Sequence, residues 1–147
     1  MTKIYFDTSC LYRPFDDQTQ VRVHLEAEAV LVVLAQIENG EWTWVGSEVL
    51  TDEIEQTPDT QKLSRAKLLS GFIQENIEIG QKEEQRAREL QNEGFQVFDA
   101  LHIACAESAN VDVFLSTDDR LLKLAKRISK RLNVRVENPL LWVEEMI

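Results

Sequence analysis

The stretch Val97-Phe98-Asp99-Ala100-Leu101-His102-Ile103-Ala104-Cys105-Ala106 decides how this chain is read. As a helix it places Asp99, Ile103 and Ala106 at i, i+4 and i+7, so a carboxylate stands on the stripe that otherwise packs inward. Ala100, Ala104, Ala106 and Ala109 let neighbouring elements come close and leave little room for water around the acid. A charge there needs compensation. The first turn of a helix supplies some through its dipole, and a bound cation supplies more. Four acids elsewhere in the chain are candidates to meet Asp99: Asp7, Glu53, Asp118 and Asp119.

On the N-terminal side, Lys3-Ile4-Tyr5-Phe6 is an apolar run that stops at Asp7-Thr8-Ser9, a strand closed by turn residues. Asp7 then sits at the carboxyl end of a strand, where open α/β sheets gather ligands. An Asx-turn that merely opens the next segment is the alternative reading. Leu11 to Gln20 reads as a loop. From about Val21 to Asn39, Leu25, Ala29, Val32, Val33 and Ile37 recur at helical spacing, and Asn39-Gly40 closes the helix. Trp42 to Val45 is a second strand. Ser47 is the natural N-cap of a helix from Glu48 to Glu55, whose apolar stripe is Val49, Leu50 and Ile54. Glu53 lies on that buried side, whereas Glu48, Asp52 and Glu55 face water and Glu48 is also placed to serve the helix dipole.

After the break at Thr57-Pro58-Asp59, Leu63, Ala66, Leu69 and Ile73 predict a helix to about Asn76, then a short strand at Ile77-Glu78-Ile79. Gln81 to Glu93 predicts a solvent-facing helix with few apolar residues. Val111 to Leu115 predicts a strand that ends in Ser116-Thr117-Asp118-Asp119, and Leu121, Leu122, Leu124, Ala125 and Ile128 make the next helix amphipathic. Val134-Arg135-Val136 is a last short strand, followed by Asn138-Pro139 and an apolar tail. This alternation predicts an α/β fold, a central parallel sheet with helices on both faces, in one domain over residues 1–147. Neither GxGxxG nor GxxxxGK[ST] occurs, which disfavours a dinucleotide-binding or P-loop enzyme.

The chain carries 26 acidic against 16 basic residues, a formal charge of −10, which argues against holding nucleic acid by bulk electrostatics. The bases are unevenly spread: Arg120, Lys123, Lys126, Arg127, Lys130, Arg131 and Arg135 follow one another with no acid among them. They form either a local basic face or the solvated side of an amphipathic helix. Cys10 and Cys105 make no CxxC pair or Cys/His cluster, so neither a zinc site nor a disulfide framework is expected. No apolar run approaches the roughly 20 residues that span a bilayer, and no signal-peptide pattern is seen, so a soluble cytoplasmic protein without membrane attachment is expected.

Asp7 and Asp119 after strands, and Glu53 and Asp99 at inward helical positions, point to one acidic cluster at the carboxyl edge of the sheet. Mutual repulsion there would be severe without a divalent cation in the middle. Oxygen ligands suit Mg²⁺ or Mn²⁺ rather than zinc, and such ions activate water and stabilise the leaving oxygen of a phosphodiester. That chemistry needs no histidine, so His102 reads as a helix-face or packing residue and His24 stays unassigned. Thr117, Thr8 and Ser9 are candidates to orient a carboxylate or a bound water, or are ordinary turn hydroxyls.

Ile4-Tyr5-Phe6-Asp7-Thr8-Ser9, Ser47-Glu48-Val49-Leu50-Thr51-Asp52-Glu53-Ile54, Phe98-Asp99-Ala100-Leu101-His102-Ile103-Ala104 and Leu115-Ser116-Thr117-Asp118-Asp119-Arg120 resemble, in that order, the acidic motifs of PIN domains. Asn138-Pro139 is also similar to that family. The resemblance implies a Rossmann-like three-layer α/β/α fold and a Mg²⁺- or Mn²⁺-dependent endoribonuclease acting on RNA. Many such proteins are VapC-type toxins held by an antitoxin protein, and a homodimer is implied as well. Asp7, Glu53 and Asp99 match the family's metal ligands, with Glu48 a rival to Glu53. The fourth acid matches Asp119, because Thr117-Asp118-Asp119 fits the pattern Thr, any residue, Asp; Asp118 is its rival. The acidic surface departs from a strong RNA binder, and the alternative is a PIN-like module that binds RNA or protein without cutting.

Overall fold

The computed structural model describes residues 1–147. Three apolar residues in a row open the fold: Ile4, Tyr5 and Phe6 of β1 (Thr2–Phe6) are all buried, as in a strand covered on both faces. Alternation sends Ile4 and Phe6 into one core and Tyr5 into the other, so a single strand contributes to both. The chain continues through a short helix α1 (Thr8–Leu11), a 3-10 turn at Arg13–Phe15, the long helix α2 (Val21–Glu38) and β2 (Trp42–Ser47). Next come α3 (Glu48–Glu55), α4 (Thr60–Leu69), β3 (Ile73–Ile77), α5 (Gln81–Glu93) and α6 (Val97–Ser108). The last elements are β4 (Val113–Leu115), α7 (Asp119–Arg127), β5 (Val136–Glu137) and α8 (Pro139–Met146).

All strand pairs are parallel, and the order is β3-β2-β1-β4-β5. The chain builds outward from β1 to one side, then returns to add β4 on the other. The order therefore reverses between β1 and β4, which opens a crevice beyond their carboxyl ends. In register Phe6 faces Leu115, so Asp7 and Ser116 are the next residues on the two sides of that crevice. One core gathers Tyr5, Val45 and Phe114 with α5, α6 and α7, while the other gathers Ile4, Phe6, Trp44 and Val113 with α2, α4 and α8. The result is the three-layer α/β/α arrangement. Gly46 keeps β2 and β3 close, because a Cβ there would stand 2.8 Å from the Ile73 Cδ1.

The structure departs from the sequence expectation in four places. The helix expected to reach Asn76 ends at Leu69, turns through Ser70–Phe72 and becomes β3 at Ile73–Ile77, displacing the strand expected at Ile77 to Ile79. Ile73 and Ile77 lie four apart, a spacing that serves a helix face and one face of a strand equally. Residues 73–77 alternate half-buried and exposed, the period-2 signature. Second, α5 is not simply solvent-facing. Glu83, Ala87 and Leu90, at i, i+4 and i+7, are buried, and the Glu83 carboxylate turns back to accept from the Gly80 N–H at 2.8 Å. Third, the expected loop from Leu11 to Gln20 contains the end of α1 and a 3-10 turn. Fourth, the apolar tail is a helix, α8, capped by Asn138 and packed through Trp142 edge-on against Trp42.

Candidate functional site

Asp7 is 5% exposed at the switch in strand order. It caps α1 by accepting from the Cys10 N–H at 3.2 Å, so the Asx-type role is real. Yet most of its hydrogen bonding serves something else: the Ser9 hydroxyl donates to Oδ1 at 2.5 Å and the Ser116 hydroxyl to Oδ2 at 2.7 Å. Those two serines also brace the end of β4. The Ser9 Oγ accepts from the Thr117 N–H at 3.1 Å, and the Ser116 Oγ accepts from the Asp118 N–H at 3.1 Å. Burial pushes the Asp7 carboxyl above its usual range, and the two hydroxyls hold it partly back.

Asp99 stands half-buried in the first turn of α6. Its carboxyl is pushed up to about 6, by burial first, then by the negative charges of Asp7 and Asp118, with Glu53 contributing further. Acids from β1, α3, α6 and the β4–α7 turn therefore bear on one another. No lysine or arginine forms an ion pair with Asp7, Glu53 or Asp99. A cavity of about 390 Å³ opens beside Glu53, lined also by Thr8, Tyr12, Lys62 and Phe98.

Glu53 is held from beneath. His102 Nε2 bonds to Glu53 Oε1, and Nδ1 of the same ring, which is 1% exposed, meets the Tyr5 hydroxyl at 2.5 Å. The Tyr5 hydroxyl also meets Ser47 Oγ at 2.6 Å, and Ser47 caps α3 by accepting from the Leu50 N–H at 3.2 Å. A buried chain Ser47–Tyr5–His102–Glu53 thus ties the carboxylate to three elements. Sequence reasoning assigned His102 to packing and missed this role. The signal was available in principle: His102 follows Asp99 by three residues, which puts it one turn along the same helix face.

The two acids after β4 part company. Asp118 caps α7, accepting from the Arg120 N–H at 3.0 Å and the Leu121 N–H at 3.3 Å, and its charge is among those that raise Asp99. Asp119, the acid favoured from the sequence, is 58% exposed and pairs with Arg22, whose Nη1 donates to Oδ2 at 2.8 Å. Arg22 holds its carboxyl below the usual range. Asp7, Asp118 and Glu53 therefore each bear on Asp99 through their charge, while Asp119 is turned to Arg22. Adjacent residues at a helix start point in different directions, and the motif spacing alone does not choose between them. Glu48 is exposed in the first turn of α3, away from Glu53.

The donor set suits a hard divalent cation: carboxylate oxygens and serine hydroxyls, with a buried Asp7 and a raised Asp99 that a cation would relieve. As placed, no three acidic, histidine or cysteine side chains converge on a common point, because Asp7 is turned to its serines and Glu53 to His102. The chemistry of the residues fits the ion, with Glu53 turned toward His102 rather than toward Asp7.

A Rossmann-like parallel sheet with an acidic cluster at its topological switch defines the class. The PIN-domain family model matches residues 4–127, and the chain belongs to the PIN-domain family. No curated protein matched it. Among solved structures it is similar to VapBC2 from Rickettsia felis bound to a DNA fragment from their promoter, with a TM-score of 0.57 and 17% identity over 94% of this chain and 98% of that one. It is likewise similar to VapBC-1 from nontypeable Haemophilus influenzae, with a TM-score of 0.59 and 15% identity over 94% of this chain and 98% of that one. At these identities the likeness is one of fold.

Proposed function

We propose that the chain is a Mg²⁺- or Mn²⁺-dependent endoribonuclease that hydrolyses RNA phosphodiester bonds. The observation that carries this reading is Asp99, held to about 6 by burial and by Asp7 and Asp118, with no lysine or arginine paired to the cluster's core. Such a pocket is an electrostatic deficit that a divalent cation offsets. Asp7, Glu53 and Asp99 would hold the ion. Asp118 is the proposed fourth acid because its charge reaches Asp99, and Asp119 joins only if Arg22 releases it. A bound ion supplies water activation and charge stabilisation at the scissile phosphate. The protein's own groups position: Ser9 and Ser116 orient Asp7, and the Tyr5–His102 pair orients Glu53.

The fold likeness to VapBC complexes, together with family membership, supports a toxin partnered by an antitoxin protein. The same reading takes residues 1–147 as one cytoplasmic domain that forms a homodimer, with exposed Val97 and Phe98 among the apolar residues open to partners. No helix is long and apolar enough to cross a membrane. The test is cleavage of single-stranded RNA with Mn²⁺ or Mg²⁺. Asp7→Asn and Asp99→Asn are expected to lose on the order of 10²-fold or more in rate, and unchanged cleavage in both variants overturns the proposal. A non-cutting binding module is favoured by one observation, that no three acidic, histidine or cysteine side chains converge on a common point, and predicts RNA or protein binding without Mn²⁺-dependent cleavage.

A further inference from the structure

Helix α7 starts where the acidic cluster ends, and its charge is opposite. Between Arg120 and Arg135 lie seven of the sixteen bases and none of the 26 acids. Arg131 and Arg135 are tied to Glu93 and Glu145. Arg120, Lys123, Lys126, Arg127 and Lys130 are all exposed and engage no carboxylate in an ion pair. Arg120, Lys123 and Arg127, at i, i+3 and i+7, share one face of α7, with Lys126 beside them and Lys130 in the 3-10 turn that follows. The opposite face, Leu121, Ala125 and Ile128, is buried against the sheet.

We infer that this stripe is a track for the phosphate backbone of single-stranded RNA, running from the acidic cluster along α7 to Lys130. The inference rests on the ribonuclease reading for its choice of RNA and deepens it by naming the residues that hold substrate beyond the scissile bond. Five neighbouring bases outside any ion pair, with only Asp119 near Lys123 and Glu93 near Arg127, stand out on a chain of charge −10. Their continuity with the acids supplies the direction: Asp118 caps α7 and accepts from the Arg120 N–H, so the stripe begins at the turn that follows β4. A polyanion lying on the stripe is led to the carboxylates, which alone would repel it. The stripe carries no aromatic side chain, so the contacts are to phosphate and hold RNA without regard to base.

The test measures binding of a labelled, mixed-sequence single-stranded RNA to the full chain in metal-free buffer across a salt series. The triple charge reversal Lys123→Glu, Arg127→Glu, Lys130→Glu is compared with Lys82→Glu, an exposed lysine on another helix. The triple variant is expected to bind about tenfold more weakly or worse, and its slope of log affinity against log salt to shrink by about 0.7 for each phosphate contact removed. An unchanged melting temperature shows that the variant is folded. Equal binding in the triple variant and wild type, or an equal loss in Lys82→Glu, overturns the track; so does retention of RNA binding when an acidic peptide binds the stripe instead. Because this measurement needs no cleavage, its failure is separate from failure of the ribonuclease reading, in which wild type leaves single-stranded RNA uncut with both Mn²⁺ and Mg²⁺.

Discussion

Two buried carboxylates in this protein have opposite surroundings. Glu26, on α2, is 1% exposed and fully engaged: Arg13 donates from Nε at 2.9 Å and from Nη2 at 2.6 Å, Arg22 from Nε at 3.2 Å, and Asn138 from Nδ2 at 2.5 Å. It joins the 3-10 turn after α1, the start of α2 and the cap of α8. Asp7 is buried to nearly the same degree, yet it meets only hydroxyls and one backbone N–H, and its charged neighbours include Asp99. The first is a completed ion network whose work is structural. The second is an incomplete one, which is what a binding site for a cation looks like before the ion arrives. Arg22 connects the two, since it bridges Glu26 and Asp119 and so draws Asp119 into the structural network.

Breaking the completed network is expected to cost most. Glu26→Ala leaves Arg13 partly buried with only the partly exposed Asp16 as a partner, and chemical denaturation should show a loss of about 3 kcal/mol. Asp7→Asn, measured the same way without metal, should show little loss or a gain. A large loss in both would mean that the two sites are energetically alike.

Metal should act on the incomplete site alone. Mn²⁺ at about 100 times its dissociation constant is expected to stabilise wild type by about 2.7 kcal/mol in thermal unfolding, an effect absent in Asp7→Asn and Asp99→Asn but kept in a destabilised Glu26→Gln variant. Equal stabilisation of all four proteins would remove the contrast.

A smaller effect is expected from pH. Asp99 titrates near 6 in the folded protein against an ordinary value of 3.8, so the folded state binds the proton more tightly than the unfolded chain. Its contribution to stability is present below about pH 4 and lost as pH rises through 6. Discounted for the part of Asp99 that water reaches, the gain of metal-free Asp99→Asn on wild type should therefore be about 1–2 kcal/mol between those limits, with the difference flat above pH 7. Other carboxyls shift in the opposite sense, Glu83 and Asp119 among them, so the comparison of the two proteins is the measurement, not either curve alone.

The smallest change separates the neighbouring acids. Asp119→Asn breaks an exposed pair worth at most about 1 kcal/mol and should leave Mn²⁺ stabilisation intact, whereas Asp118→Asn should weaken it. The reverse pattern would restore Asp119 as the fourth acid.

Much of the fold could be read locally. Ile4-Tyr5-Phe6 as a strand, Ser47 as a cap, and helix limits at Val21, Glu48 and Gln81 all follow from residues within a turn or two of one another. The inward positions of Glu53 and Asp99 follow in the same way from helical period. What failed locally was ambiguous locally: Ile73 and Ile77 satisfy two periods, and the buried stripe of α5 is too thin to stand out among its Glu, Gln and Arg residues.

Within its own sequence the chain determines where each carboxylate sits on its own strand or helix, because period and capping are short-range. Which carboxylate meets which partner is a matter of tertiary structure. Arg22 reaches Asp119 across 97 positions of sequence, as Tyr5 reaches His102, and only the packing of α2, α6 and α7 around β1 and β4 brings them within bonding distance. Hydrogen bonds and ion pairs act over a few ångströms of space, so the choice between Asp118 and Asp119, and the part played by His102, are decided by the folded arrangement.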